Sequence, residues 1–413
     1  MRCVAATIVT VAGSVSGCSS LLDVELPGRI PVDVLGDPGI AGTLVASAIS
    51  DFECAFDSYV TATALLTDEI QHSSTTALLR KWDLREISAD DNDNALAPCG
   101  SQAFTLGTYT PLQTARWQAD NALKRLEAYT DAQVPSRTAL IATASAYAGY
   151  GYLLLGEGYC EMAVDLGPLL TPAQVLSTAE QRFTNALTLA QTAQNQAVLN
   201  LARVGRARTR LDHKRGADAV ADAQLVAANF SQNATRDTDP PRRWNKIWNL
   251  NIFSGQITVD PTFRNVTWQS VPDPRVSTFD TGRNGNSPGV RLWATTTKAS
   301  ANSTPFRLAS WVEAQLIVAE VIGGQAAVDV INTLHQRAGI PGFSSSDPAT
   351  IAAQVREERR RELYLEGHRL NDMLRLKIPF PSGVHPVDGN PYGTTTCLPL
   401  PTVERTGNPN IGS

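Results

Sequence analysis

The sequence predicts an all-α, mainly helical protein built of helix pairs and interrupted by long irregular insertions. Two observations predict this. Ala, Leu and Tyr recur at 3.6-type spacing through most of 114–229 and 306–377. The rhythm fails across 71–112 and 229–305, where Trp, Asn, Asp and Gly gather instead. A chain of 413 residues, 43% hydrophobic, can bury one large core, so 18–413 is expected to form a single domain.

The elements follow in order. Arg2 precedes a short apolar stretch from Cys3 to Val11, and Val15-Ser16-Gly17-Cys18 comes next. The stretch is too short to span a bilayer and suits an export signal, with 1–17 removed. Val-Ser-Gly-Cys resembles the lipobox of bacterial lipoproteins, which implies that Cys18 is the acylated first residue. No later segment reads as a transmembrane helix. From about Pro38 to Ile70 the pattern is helical and ends in "YVTATALLTDEI". The following loop holds Trp82, Arg85 and the cluster Asp90-Asp91-Asn92-Asp93-Asn94. That cluster lacks the turn glycine and distal Glu of a calcium loop and reads as solvated.

Helices are expected at 114–130, 136–157, 172–194, 196–213 and 215–229, with breaks at Pro135, Gly167-Pro168 and Gly216. Within "LNLARVGRARTRLDHKRGADAVADAQ", Leu201, Val204, Gly205, Ala217 and Ala221 fall at the spacing of a tetratricopeptide helix pair, where small residues permit close approach. The array is therefore expected to be a tetratricopeptide-like superhelix. The interval 229–305 carries Trp244, Trp248, Trp268 and Trp293, and its aromatic content argues for an ordered loop region. Helices resume at 306–322, 325–338 and 350–377. The Pro- and Gly-rich tail from Ile378 is expected to lie extended over the surface. Trp117 and Trp311, inside helices, are assigned to the core.

A net charge of −5 offers no basic footprint for nucleic acid. With Cys18 set aside, Cys54, Cys99, Cys160 and Cys397 remain in the mature chain, and four cysteines allow three connectivities. Cys54 and Cys99 flank the first loop region and Cys160 and Cys397 follow Gly-rich turns, so 54–99 and 160–397 bridges are expected. No CxxC is present, and His72, His213, His335, His368 and His385 show no i, i+4 pairing, so neither a zinc site nor a cofactor is expected.

The stretch "EERRRELYLEGHRLNDMLRLK", 357–377, concentrates both charge signs. On a helix Val355, Arg359, Leu363, Glu366, Leu370 and Met373 share a stripe, so Arg359 and Glu366 fall where apolar residues belong. Arg369 stands three residues from both Glu366 and Asp372, and Glu357 four from Arg361, spacings that pair side chains along a helix. Gly367 weakens the helix and suggests another backbone close by. Arg359, Glu366, Gly367, Arg369 and Asp372 are thus expected to form a half-buried ionic seam that is structural rather than catalytic. No GxSxG, HExxH or P-loop spacing accompanies it.

Glu358-Arg359-Arg360-Arg361-Glu362-Leu363, then Glu366-Gly367-His368-Arg369 and Asp372, resemble the C-terminal signature of the SusD/RagB family of outer-membrane nutrient-binding lipoproteins. The family usually has an aromatic after the Arg; Leu370 stands there instead. "CSSLLDVELP", "LLTDEI", "DPRV", "VINTLHQRAGIP" and "CLPLPTVERTGNPNI" match in the family's order over essentially the whole chain. The resemblance implies a non-catalytic lipoprotein of the cell surface. It would capture an oligosaccharide or peptide and lid a SusC-like TonB-dependent β-barrel. Trp82, Trp268 and Trp293 are the candidate stacking faces, with Asp68, Arg85 and Asn92 as polar neighbours. The alternative is a periplasmic tetratricopeptide-like scaffold for a protein partner, which favours a more continuous repeat.

Overall fold

The structure, a computed structural model, describes residues 34–92, 97–99 and 106–411. Cys18 and the expected signal segment 1–17 lie outside the described residues. Helix α1 (Ala41–Leu66) is buried along most of its length. It carries two acids into the interior. Glu53 accepts from the Thr235 amide at 2.8 Å and from Arg243 at 3.2 Å, and Asp57 pairs with Arg236 at 3.2 Å. Those bonds draw the segment after 234 onto α1, and burying both partners together avoids a stranded charge.

A short strand β1 (Ile70–His72) and α2 (Ala77–Asp83) follow. The helical array comprises α3 (Tyr109–Ala128), α4 (Arg137–Gly158), α5 (Pro172–Thr192), α6 (Gln196–Asp212) and α7 (Gly216–Ala223). Each packs on the next, and links as short as the one between Thr192 and Gln196 turn successive helices back on each other. Local sequence sets several starts. Thr171 and Gln174 form a capping box with Pro172 in the first turn of α5, and Asn195 caps α6 through the Val198 amide. Helix α4 is long and apolar enough to cross a membrane, as is Pro38–Leu66, but 83% of the apolar window of α4 is buried within this fold. It is the core helix of the array.

Glycine permits the tightest contacts. A Cβ at Gly205 would sit 2.4 Å from the Phe183 ring, and one at Gly149 would sit 2.7 Å from the same ring, so α4 and α6 close on α5 from two sides. The small-residue register expected in α7 is displaced: Ala217 and Ala221 are exposed, whereas Ala219 and Ala223 are buried. Spacing alone could not fix which Ala face turns inward.

The interval 229–305 is ordered by short antiparallel pairs. Strand β2 (Ser231–Ala234) joins β8 (Phe306–Ser310), β3 (Ile257–Val259) joins β1, β4 (Thr267–Trp268) joins β5 (Val271–Pro272), and β6 (Thr278–Asn284) joins β7 (Arg291–Thr295). Residues 306–310 are thus strand, and α8 (Trp311–Ile322) starts only after Ser310 caps the Glu313 amide. Then come α9 (Gly324–Ala338), α10 (Pro348–Glu362), α11 (Arg369–Leu376) and α12 (Thr402–Gly407).

The expected helix 350–377 is two helices. Leu365 and Gly367 adopt positive φ and end the run, so spacing along a single helix does not govern the pairs beyond Glu362. Glu357–Arg361 stays within α10 at 2.7 Å. Glu366 pairs instead with Lys298 and with Arg307 at 2.9 Å, and Arg369 with Asp68 at 2.6 Å. Arg359 meets Asp372 across the break at 2.8 Å. Gly367 approaches the side chains of Tyr59 and Val60, not a second backbone. Arg275 of the "DPRV" loop binds Asp273, Glu358 and Glu362, and Arg361 reaches Asp273 at 3.1 Å, so that loop docks on α10. Burial alone would raise the Asp273 carboxyl. Hydrogen bonds and charge from Arg275 and Arg361 outweigh it and hold the group below its ordinary range.

Cys54 is joined to Cys99 and Cys160 to Cys397, with Cα atoms 6.0 and 5.2 Å apart. The second bridge fastens the C-terminal segment to the end of α4, next to a parallel bridge between Tyr159 and Leu398.

Candidate functional site

Three distant segments meet at one concave face. Asp68 follows α1; Gln71 lies on β1, opposite Thr258 of β3; Asp260 follows β3. The C-terminal segment 379–392 supplies Phe380 and Tyr392, with four prolines and two glycines on its course. Together they line a cavity of about 580 Å³, within the range of small-molecule sites. Proline at 379, 381 and 386 stiffens the rim, since a fixed φ leaves less freedom to lose when a ligand settles.

The polar groups are held before any ligand arrives. Arg369 donates to both Asp68 oxygens, from Nε and Nη2, at 2.6 Å each. Asp260 accepts from the Thr262 amide at 2.8 Å and from its hydroxyl at 2.7 Å. Burial pushes the Asp260 carboxyl up, only partly offset by those Thr262 bonds. Burial, with the nearby Asp83 and Asp260 charges, also pushes up the Tyr392 hydroxyl, which therefore stays a neutral donor. Behind the aromatic wall Arg85 stands 5.4 Å from the Phe380 ring centre and 5.9 Å from that of Tyr392. Such a face can stack on an apolar sugar surface while carboxylate, amide and phenol groups take directional hydrogen bonds.

The residues expected from sequence divide. Asp68 lines this cavity. Arg85 is buried behind it and donates to the Gly393 carbonyl, so it buttresses rather than contacts. Trp82 is 0% exposed in the main core and has no face to offer; its place in a loop-rich stretch hid the α2 helix that buries it. Trp293 is half-buried beside β3, with Arg264 5.5 Å over its ring. Trp268 donates to the Pro341 carbonyl at 2.8 Å and packs edge-on against His335 and Phe343, fixing its hairpin to α9. Asn92 is exposed and is not among the residues lining the cavity.

Trp117, assigned to the core, is 48% exposed. It lines a second cavity of about 430 Å³ with Tyr109, Gln113, Arg116 and Asp165, because the buried stripe of α3 runs through Ala115, Ala119 and Ala122 instead. Trp311 is part-buried against the core, with Arg337 over its ring at 4.9 Å. Sequence reasoning passed over Phe380, Tyr392, Gln71 and Asp260. A search restricted to Trp could not find the first two, and only the β1–β3 pairing brings the others together. It also passed over the cluster of Trp244, Trp248 and Phe253, whose rings lie 5.3–6.1 Å apart with Phe253 62% exposed.

Residues 236–394 match the SusD family. No curated protein matches the chain. Among solved structures, a SusD superfamily protein from Bacteroides vulgatus matches with a TM-score of 0.71 and 16% identity, covering 91% of this chain and 99% of that one. One from Bacteroides fragilis gives 0.70 and 15%, covering 92% and 100%. A SusD-like carbohydrate-binding protein from B. vulgatus gives 0.68 and 15%, covering 91% and 97%. At such identities the likeness is one of fold.

Proposed function

We propose that this chain, whose residues 236–394 match the SusD family, captures an oligosaccharide at the cell surface without altering it and delivers it to a TonB-dependent outer-membrane barrel. In this reading Cys18 carries the acyl anchor. The observation that carries the ligand assignment is the cavity where Asp68, Gln71 and Asp260 face Phe380 and Tyr392. Its acids are committed to binding geometry, Asp68 to Arg369 and Asp260 to Thr262, which supports capture rather than bond cleavage. The carbohydrate-binding relative from B. vulgatus supports a glycan over a peptide. Trp293, beside Asp260 through Arg264, extends the stacking surface along β7.

Titration of the purified chain against a panel of plant and host oligosaccharides tests this. Phe380→Ala should weaken the best glycan by about 1–3 kcal/mol while Trp117→Ala leaves it unchanged. Loss in Trp117→Ala alone would move the site to the second cavity. Hydrolysis of the glycan, or preference for oligopeptides, would overturn the proposal.

A further inference from the structure

His72 and His385 are 313 positions apart, since 385 − 72 = 313, yet their rings stack at 5.2 Å. Both are buried. Each has one nitrogen turned away and hydrogen-bonded to an acceptor: His72 Nδ1 meets the Ser74 carbonyl at 3.1 Å, and His385 Nε2 meets Asp83 Oδ2 at 3.0 Å. Those contacts place the ring protons there and leave lone pairs on His72 Nε2 and His385 Nδ1. Both of these face Asp388 Oδ2, at 2.7 and 3.5 Å. The second Asp388 oxygen is fixed by Arg80 Nε at 3.0 Å.

This is the hydrogen-bond pattern of metal ligands, in which each imidazole donates its distal N–H to a carboxylate or carbonyl and the carboxylate is itself held. It also exposes a deficit. With the Ser74 carbonyl at one end and Asp388 at the other, the His72 ring faces acceptors on both sides, and a cation between His72 and Asp388 satisfies the second of them. We propose that His72 Nε2, His385 Nδ1 and Asp388 Oδ2 bind a zinc ion that staples β1 to the C-terminal segment behind the ligand cavity. The three ligand atoms lie within 4.8 Å of one another.

Zinc bonds of about 2.0–2.1 Å set tetrahedral ligand atoms roughly 3.3 Å apart. The Asp388–His385 spacing matches that already, and the Asp388–His72 spacing must open by about 0.6 Å. Asp388 sits in a turn flanked by Gly383 and Gly389, both at positive φ. His385 Nδ1 now accepts from the Val387 and Asp388 amides at 3.2 and 3.3 Å, the bonds that a metal there would replace. The Asp388 side chain is 15% exposed, so the site touches solvent, and a water would complete a tetrahedral set. Two imidazoles with one carboxylate favour zinc over calcium or magnesium, which take oxygen sets.

The test uses the full chain without a polyhistidine tag, stripped with chelator and titrated with zinc, with cobalt as the visible probe. One equivalent should bind and raise Tm. His72→Gln and Asp388→Asn should each weaken binding on the order of 100-fold with unchanged circular dichroism. Asp388→Asn, at a part-exposed position, keeps the test informative if His72→Gln does not fold. Failure to bind zinc, or equal affinity in a folded variant, overturns the proposal; the first outcome leaves a proton between His72 and Asp388, and the second places the metal elsewhere. None of these readouts involves glycan, so they stand apart from the capture reading.

Discussion

Glu69 shows how one residue makes stability depend on pH. Its side chain is buried, with Oε1 accepting from the Leu365 amide at 2.8 Å. Burial pushes its carboxyl up to about 8, with that amide bond opposing only in part. In the unfolded chain the group titrates near 4.5. Between those values the unfolded state releases a proton that the folded state retains, so stability falls as pH rises from about 4.5 to about 8. Below that window both states are protonated and the contribution vanishes. Glu69→Gln should therefore raise stability at pH 8 by up to ~4 kcal/mol and leave it unchanged at pH 4. Denaturant melts at the two pH values check this, and an equal gain at both would contradict it.

At the scale of elements, the signature region is a junction between helices rather than one long helix. Positive φ at Leu365 and Gly367 turns the chain so that Glu366 enters a pocket of positive charge between Lys298 and Arg307, while α11 swings to bring Asp372 under Arg359. Burial raises the cost of an ionised Asp372, but the Arg359 and Arg375 charges outweigh it and hold the carboxyl well below its usual range. Burial also pushes the Lys298 amine down, with Glu366 opposing. Glu366→Ala would leave Lys298 and Arg307 facing each other without their shared counter-charge. We expect a loss of roughly 2–4 kcal/mol, less than for a fully desolvated triad because both cations keep some solvent contact, with glycan affinity preserved. A variant as stable as the parent but unable to bind would show instead that Glu366 serves the ligand. The same junction ties three motifs together, as Arg275 and Asp273 from the loop interlock with Glu358, Glu362 and Arg361 of α10.

Across the whole molecule, the C-terminal segment is the piece that closes the structure. It runs from α11 past the cavity, supplies Phe380 and Tyr392, and returns to α4 through the Cys160–Cys397 bridge. That bridge spans 237 positions and constrains the unfolded chain over more than half its length. Replacing both cysteines with Ala should cost ~3–5 kcal/mol, with the helical array retained by circular dichroism. Glycan binding should weaken as the segment loosens. Unchanged Tm and affinity would mean that the Tyr159–Leu398 bridge and the packing of Leu398 and Leu400 hold the segment unaided.

The sequence by itself determined the long helices of the array and a resemblance to the SusD family. Amphipathic spacing encodes helices because side chains three and four apart share a face, caps such as Thr171–Gln174 mark helix starts, and the ordered motifs from "LLTDEI" to the 357–372 stretch identify the fold. The expected 54–99 and 160–397 pairs, read from cysteines flanking the first loop region and following Gly-rich turns, are the bridges present. Only the tertiary structure decided partners and faces. Asp68 meets Arg369 across 301 positions, His72 meets Asp388 across 316, and Trp82 is interior while Trp117 is not. Local spacing fixes contacts within about one helical turn. A pair joined by two packed elements, or a Trp buried by a short helix inside a loop, depends on how those elements dock, and docking is settled by the shapes and charges of the whole set of surfaces that are buried together.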